Sequence, residues 1–472
     1  MRVVVLNGSP KGEQSVTMQY IRFLQQELPQ HEFLRLDVAH YIERLEHREA
    51  ALDEVCEQVR AADAVLWAFP LYFFLVAAQY KRFVELLWER GLTPAFQGKY
   101  AAALSTSIHA FDHTAHQYVN AVCDDLGMRF FGAYSADMYD LLHRAEQQRL
   151  ATFAAGFLDA VRRQLPTIRN HAPLARSSFR YVPASAGPPV PIPGKRVVLL
   201  HDGERGQGNI EPMVDALRRS LEGEVEVVDL RAVRIRGGCL GCIRCAYEYQ
   251  CAYADKDDYM AFYNDRLRTA DVIVLAGTVV DRYLSSRWKT FFDRSFFNNH
   301  TPTLIGKQVA LMVSGPLSQL PHLRQLVQAW VEFQQANLAG VVTDECGVSE
   351  EIDGAVRALA HRLADAAAVG YVAPATFLGV GLGKVFRDDV YSRLRFPFQA
   401  DHRFYKAHGL YDFPQKDYRA RLTAALMGLL VRVPALRDRI YRKEMKPGMI
   451  RPFQRLFAQP PRGAAAHEAR PR

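Results

Sequence analysis

The chain has 472 residues, 49% hydrophobic and 23% charged, an ordinary globular composition with room for two or three domains. No apolar run reaches the roughly 18–20 residues of a membrane span, and the opening MRVVVLNGSP lacks the features of a secretion signal, so a cytoplasmic protein is expected. The net charge of +8 is carried by the tail: 20 Lys and Arg against 8 Asp and Glu from Lys384 onward leave residues 1–383 at about −4, which argues against a nucleic-acid-binding body.

The first element in chain order is VVVLNG (Val3–Gly8), a β-branched run that reads as a buried strand entering a loop. The loop GSPKGEQSVT follows, and a helical pattern runs over Thr17–Leu28. Gly permits tight turns, Ser and Thr hydroxyls can donate, and a helix N-terminus offers free N–H groups and partial positive charge; together they suit a phosphate. The loop is neither GxGxxG nor GxxxxGK[ST], and the alternative is a plain capped helix after a turn. ADAVLWAFPLY from Ala62, a helical pattern over Tyr80–Glu89 and TPAFQGK (Thr93–Lys99) come next.

Much of this recurs. VVLLHDG (Val197–Gly203) repeats the first strand, ADVIVLAGTVV from Ala270 repeats the second, Lys289 and Phe291 match Lys81 and Phe83, and TPTLIGK (Thr301–Lys307) matches TPAFQGK. Two domains of one fold are therefore expected in tandem: 1–165 and 195–372, joined by a Pro-rich linker over 166–194 and followed by a basic C-terminal extension over 373–472. Strand–helix alternation predicts an α/β fold with a doubly wound parallel sheet in each copy.

NGSPKGEQSVT followed by PLYFFLVAAQYKRFVE resembles the NADPH-dependent FMN reductase branch of the flavodoxin-like fold. The resemblance implies that Ser9, Lys11, Ser15 and Thr17 hold an FMN phosphate, and that Pro70, Leu71, Tyr72 and Phe73 line the isoalloxazine. It also places the loop STSIHAFDH, with Ser105, Thr106, His109 and Asp112, at the flavin edge, although Asp112 could equally start the next helix. Val16 stands where the family has Asn.

The second copy departs further. HDGERGQGN lacks the Ser-Pro turn, and Asp202, Glu204 and Glu211 would repel a phosphate. Its insertion carries Cys239, Cys242, Cys245 and Cys251 in a C-x2-C-x2-C-x5-C spacing. That spacing is similar to iron–sulfur flavoproteins with a [4Fe–4S] cluster; metal-free thiols and a zinc site stay open as alternatives. Flavin reductases of this fold commonly pair across a twofold axis, so the resemblance implies a pseudo-twofold that brings the cysteine loop to the first copy's FMN edge. The extension from Lys384 is expected to be dispensable for flavin. Leu422, Leu426, Leu429, Leu430 and Val433 form an apolar stripe that suits the protein's own body, a membrane surface or a partner protein. The last residues, QPPRGAAAHEARPR, are expected to be disordered.

The reading is an NAD(P)H-dependent FMN oxidoreductase delivering electrons to a quinone, flavin or other small acceptor. The rivals are an iron–sulfur flavoprotein carrying electrons between protein partners and a non-catalytic scaffold. The choice of NADH or NADPH and the oligomeric state stay open.

Overall fold

The computed structural model describes residues 1–184 and 187–457. The predicted disordered end, QPPRGAAAHEARPR, lies outside the described residues.

The first copy is a parallel sheet of β1 (Arg2–Asn7), β2 (Glu32–Leu36), β3 (Ala64–Pro70), β4 (Tyr100–Ser107) and β5 (Arg129–Asp137), in the order β2-β1-β3-β4-β5. The second holds β6 (Val190–His201), β7 (Leu221–Asp229), β8 (Val272–Thr278), β9 (Gln308–Ser314) and β10 (Asn337–Thr343), in the order β10-β9-β8-β6-β7. The two orders are the same flavodoxin-like winding. The central strands read as unbroken apolar runs because helices cover both faces; Val3, Val4, Val5 and Leu6 are fully buried. Strand β6 starts at Val190, inside the predicted linker, because Val190 and Pro191 pair with Leu221 and Glu222 before the register shifts at Arg196.

The copies meet through the helices Ala78–Glu89 and Ser286–Ser295, and the contacts are reciprocal. Asp293 Oδ2 accepts from the Ala78 backbone N–H at 2.7 Å, and Glu85 Oε1 accepts from that of Ser286 at 2.6 Å. Each helix thus supplies a carboxylate to the other's free N-terminal donors. Residues 78, 81 and 85 correspond to 286, 289 and 293, so the offset of 208 seen in the sequence is the pseudo-twofold seen in space. Lys81, fully buried, sits 2.7 Å from Glu85 and 3.0 Å from Asp281 of the second copy. Burial alone would lower the Lys81 pKa; the two carboxylates outweigh it and hold the ammonium charged.

His322, on the Pro321–Phe333 helix, is buried against the same interface and donates Nε2–H to the Arg282 carbonyl at 2.6 Å. Burial lowers its pKa to about 4. A histidine whose folded pKa lies below its unfolded value of roughly 6.5 stabilises the fold fully above that value. That contribution is lost as the pH falls from about 6.5 to about 4 and is constant below. Its ceiling is about 3 kcal/mol. Unfolding midpoints of His322→Asn should therefore vary less over this window than those of the parent; identical pH profiles would refute the assignment.

The extension does not form one body. The helices Phe377–Tyr391 and Gln399–Ala407 belong to the compact unit that ends at His408, whereas residues 409–457 belong to a second unit. Glu332 anchors the start of the Phe377 helix by accepting from the Thr376 and Gly379 N–H groups at 2.9 and 2.8 Å. Among the described residues no helix is long and apolar enough to cross a membrane.

Candidate functional site

At the carboxyl end of β1, the Asn7 side chain donates to the Gly12 carbonyl and Asp37 and accepts from the Ser9 N–H, which fixes the course of residues 8–14. Gly8 is required by close approach: a Cβ there would overlap the Tyr80 ring. Ser15 caps the Val16–Glu27 helix by accepting from the Thr17 N–H at 3.2 Å. Lys11 lines a cavity, and its ammonium has no hydrogen-bond or ion-pair partner among the described residues. Burial lowers its pKa, and Cys239 and Cys242 across the gap oppose that shift.

The cavity has a volume of about 270 Å³. Lys11, Ser15, Pro70, Leu71, Tyr72, Phe73 and Thr106 line it, together with Val16, Phe74 and Ser107. Tyr72 and Leu75 exchange backbone hydrogen bonds around Phe73 and Phe74, both at positive φ (40° and 66°), an uncommon conformation for large side chains. Phe292 stacks on Phe73 at 5.9 Å, Lys289 Nζ donates to the Tyr72 carbonyl at 2.9 Å, and Thr114 donates to that of Phe74. The second copy thus helps hold the first copy's turn.

Other expected residues do not reach the cavity. Ser9 is fully buried and its hydroxyl accepts from the Lys11 N–H; Thr17 is tied to Thr106 at 2.6 Å; Ser105 is tied to His116 at 2.7 Å. They brace the loops from beneath. His109 and Asp112 pair with each other at 2.9 Å and with Ser135, outside the lining. The pairing raises the His109 pKa; at Asp112, His109 and Ser135 overcome the effect of burial and depress the carboxyl.

The opposite wall comes from the second copy and the extension. Cys239, Gly241 and Ile243 of the cysteine loop face Tyr72, and a Cβ on Gly241 would overlap the Tyr72 hydroxyl. Gln79 donates to the Cys239 carbonyl at 3.2 Å. The cysteine loop therefore lies at the first copy's cavity. Phe386, Leu394 and Phe398 complete the wall, so a boundary at Lys384 cuts through residues that build the site. Leu394 and Phe398 pack with Ala246, Ile108 and Phe296 into one apolar cluster, while Arg393 binds Asp137 and Asp389. These residues show no motif; Leu394 and Phe398 lie in an aromatic, Pro-containing stretch, Leu394–Tyr418, and Phe386 and Arg393 precede it.

The four cysteines of the loop share a small cavity of about 20 Å³ with Tyr253 and Arg294. Among the described residues, no three His, Cys, Asp or Glu side chains are grouped to hold a metal ion, so the ligand set expected from the spacing is not preassembled. Burial pushes the Cys239 thiol up to about 12, and that of Cys245 is raised by burial as well.

The corresponding edge of the second copy is occupied by the chain itself. Asn209 precedes its helix where Ser15 precedes the first, but its side chain accepts from the Tyr181 N–H and donates to the Phe179 carbonyl and Asp344. Ala175 and Arg176 of the linker reach Gln319 and the Val280 carbonyl.

The profile of the NADPH-dependent FMN reductase family matches residues 1–138 and 195–345, one match per copy and more than half of the chain. The chain belongs to this family. As a tandem member of it, the protein is a flavin-dependent oxidoreductase, and FMN is the cofactor of its family. The iron–sulfur flavoprotein of Archaeoglobus fulgidus is 29% identical over 162 residues, covering 32% of this chain and 72% of that protein. FerB of Paracoccus denitrificans, a flavoenzyme NAD(P)H:(acceptor) oxidoreductase, is 20% identical over 34% of this chain and 97% of its own, with a TM-score of 0.29. General stress protein 14 of Treponema denticola, solved in complex with FMN, is 13% identical over 34% and 98%, with a TM-score of 0.26.

Proposed function

We propose that the cavity holds FMN on the first copy's loops and admits a flat acceptor, a quinone or a second flavin, beneath the wall made by the second copy and the extension. The observation that carries this reading is the unpartnered Lys11 beside a Ser-capped helix N-terminus, opening into an apolar aromatic slot. FMN, when bound, supplies the two-electron redox chemistry between NAD(P)H and the acceptor. Lys11, Ser15 and the helix N-terminus neutralise the phosphate. Tyr72 and Phe73 would line the ring, and Phe386 and Phe398 would keep water out of the slot. Asp293, a carboxyl in the lining, already serves Lys289 and the Ala78 N–H, and burial raises its pKa, so it is no free base.

A second reading rests on the four thiols around one cavity and on the name of the Archaeoglobus fulgidus relative. Cys239, Cys242, Cys245 and Cys251 would hold a [4Fe–4S] cluster that supplies one-electron transfer, once their loop rearranges to bring the thiols together.

Both readings meet in one experiment: anaerobic purification followed by flavin and iron assays. FMN is expected at about one per chain. Lys11→Ala with Ser15→Ala removes a charge-assisted contact and a hydroxyl, together about 2–4 kcal/mol, and should weaken FMN binding by roughly 30-fold or more. Ser9 and Thr17 are poorer probes, because both are fully buried and bulky replacements would disrupt packing. A protein that neither contains nor takes up FMN would overturn the first reading, and an iron-free anaerobic preparation the second.

A further inference from the structure

Residues 409–457 form helices at Tyr418–Leu430, Pro434–Arg439 and Met445–Phe457. No residue from 409 through 455 is buried. Leu422, Leu426, Leu429 and Leu430 are 63%, 54%, 55% and 47% exposed, and Met449, Ile450 and Phe453 are exposed on the last helix. Isolated surface leucines are ordinary, but a run of this kind marks an interaction surface.

The charge around it selects the partner. Residues 409–457 carry 11 Lys and Arg against 4 Asp and Glu, a net of +7. Arg419 and Arg421 open the first helix, Arg437, Arg439, Arg442 and Lys443 follow, and Arg451 and Arg455 flank Phe453. A second copy would bring the same positive charge face to face, which disfavours self-association. Thirteen residues rise about 20 Å, well short of the roughly 30 Å hydrocarbon core, so each of the longer helices fits a position along a membrane rather than across it.

We infer that residues 409–457 dock the protein on the surface of a bilayer rich in anionic lipid. The leucine, methionine and phenylalanine side chains enter the boundary between headgroups and acyl chains, and the arginines and lysines pair with anionic headgroups. This inference does not rest on the flavin reading, because the segment lies outside both repeats.

The test is co-sedimentation of the full-length protein with vesicles. Phosphatidylcholine vesicles containing about 30% phosphatidylglycerol should bind it at least about tenfold better than phosphatidylcholine alone. Raising NaCl from about 0.1 M to about 1 M shortens the screening length from about 10 Å to about 3 Å and should release most of the protein. The triple variant Leu426→Glu, Leu429→Glu, Leu430→Glu should stay in the supernatant, and so should a separate Arg437→Glu, Arg439→Glu, Arg442→Glu variant. Failure to bind the anionic vesicles, equal binding to both vesicle types, or wild-type binding by both variants would overturn the inference. A lipid-free dimer seen by light scattering and abolished by the leucine variant would also overturn it, in favour of a second copy as the occupant.

Discussion

Ending the chain at Pro374 should strip most of the FMN, whereas ending it at His408 should leave the flavin in place. The shorter truncate lacks Phe386, Leu394 and Phe398, which line the cavity, and Arg393, which binds Asp137 of the first copy. It also lacks Asp401 and Tyr405. Asp401 accepts from His300 Nδ1 at 2.7 Å, and Tyr405 donates to the His300 carbonyl at 2.8 Å. Phe386 and Phe398 lie 4.5 and 4.7 Å from the His300 ring, so removing them exposes an aromatic wall and one face of the slot. Uncovering roughly 100 Å² of apolar ring surface at about 25 cal/mol/Å² costs about 2.5 kcal/mol, or nearly two orders of magnitude in Kd. The comparison is made by flavin fluorescence during dialysis of the two truncates. Full FMN retention by the Pro374 truncate would show that the extension is no part of the site. The double variant Phe386→Ala, Phe398→Ala tests the same wall without shortening the chain.

Replacing Lys81 with Met should destabilise the protein by about 3–5 kcal/mol, because it leaves Asp281 buried without a cation and Glu85 with only Arg82, at 3.2 Å. Burial raises the Asp281 pKa, and Lys81 offsets part of that rise, so without the ammonium its carboxyl would have to protonate to remain inside. Tyr118 donates to Asp281 at 2.9 Å and cannot supply the missing charge. The triple variant Lys81→Met, Glu85→Gln, Asp281→Asn should recover much of the loss, since no uncompensated charge remains. Denaturant midpoints of the two variants decide the matter: a single variant as stable as the parent would mean that the ammonium does not hold the copies together.

The fold was legible because it is written in apolar runs, and runs such as VVVLNG survive in both copies. The first half of the site was legible for a similar reason: Gly8, Lys11 and Ser15 sit in a short loop whose residue types match its chemistry. The other half was not, since Gly241, His300 and Phe398 reach the cavity only through tertiary packing. His109 and Asp112 lie outside the cavity lining. Their types suit a flavin edge, but three residues apart they satisfy each other. Ser9, Thr17 and Ser105 belong to the right loops, and only burial distinguishes a hydroxyl that braces a loop from one that meets a ligand.

The reciprocal caps between the Ala78–Glu89 and Ser286–Ser295 helices carry a consequence for dilution. Two separate subunits joined by such caps would come apart as concentration falls below their dissociation constant, and a site built from both would go with them. Here the halves are tied by the segment between β5 and β6, so each sees the other at an effective concentration on the order of millimolar whatever the number of molecules in the cell. A protein made in a few copies can keep such a composite site assembled. The second half brings the cysteine loop to the first half's cavity, while its own helix start is closed by Asn209 bound to Tyr181, Phe179 and Asp344.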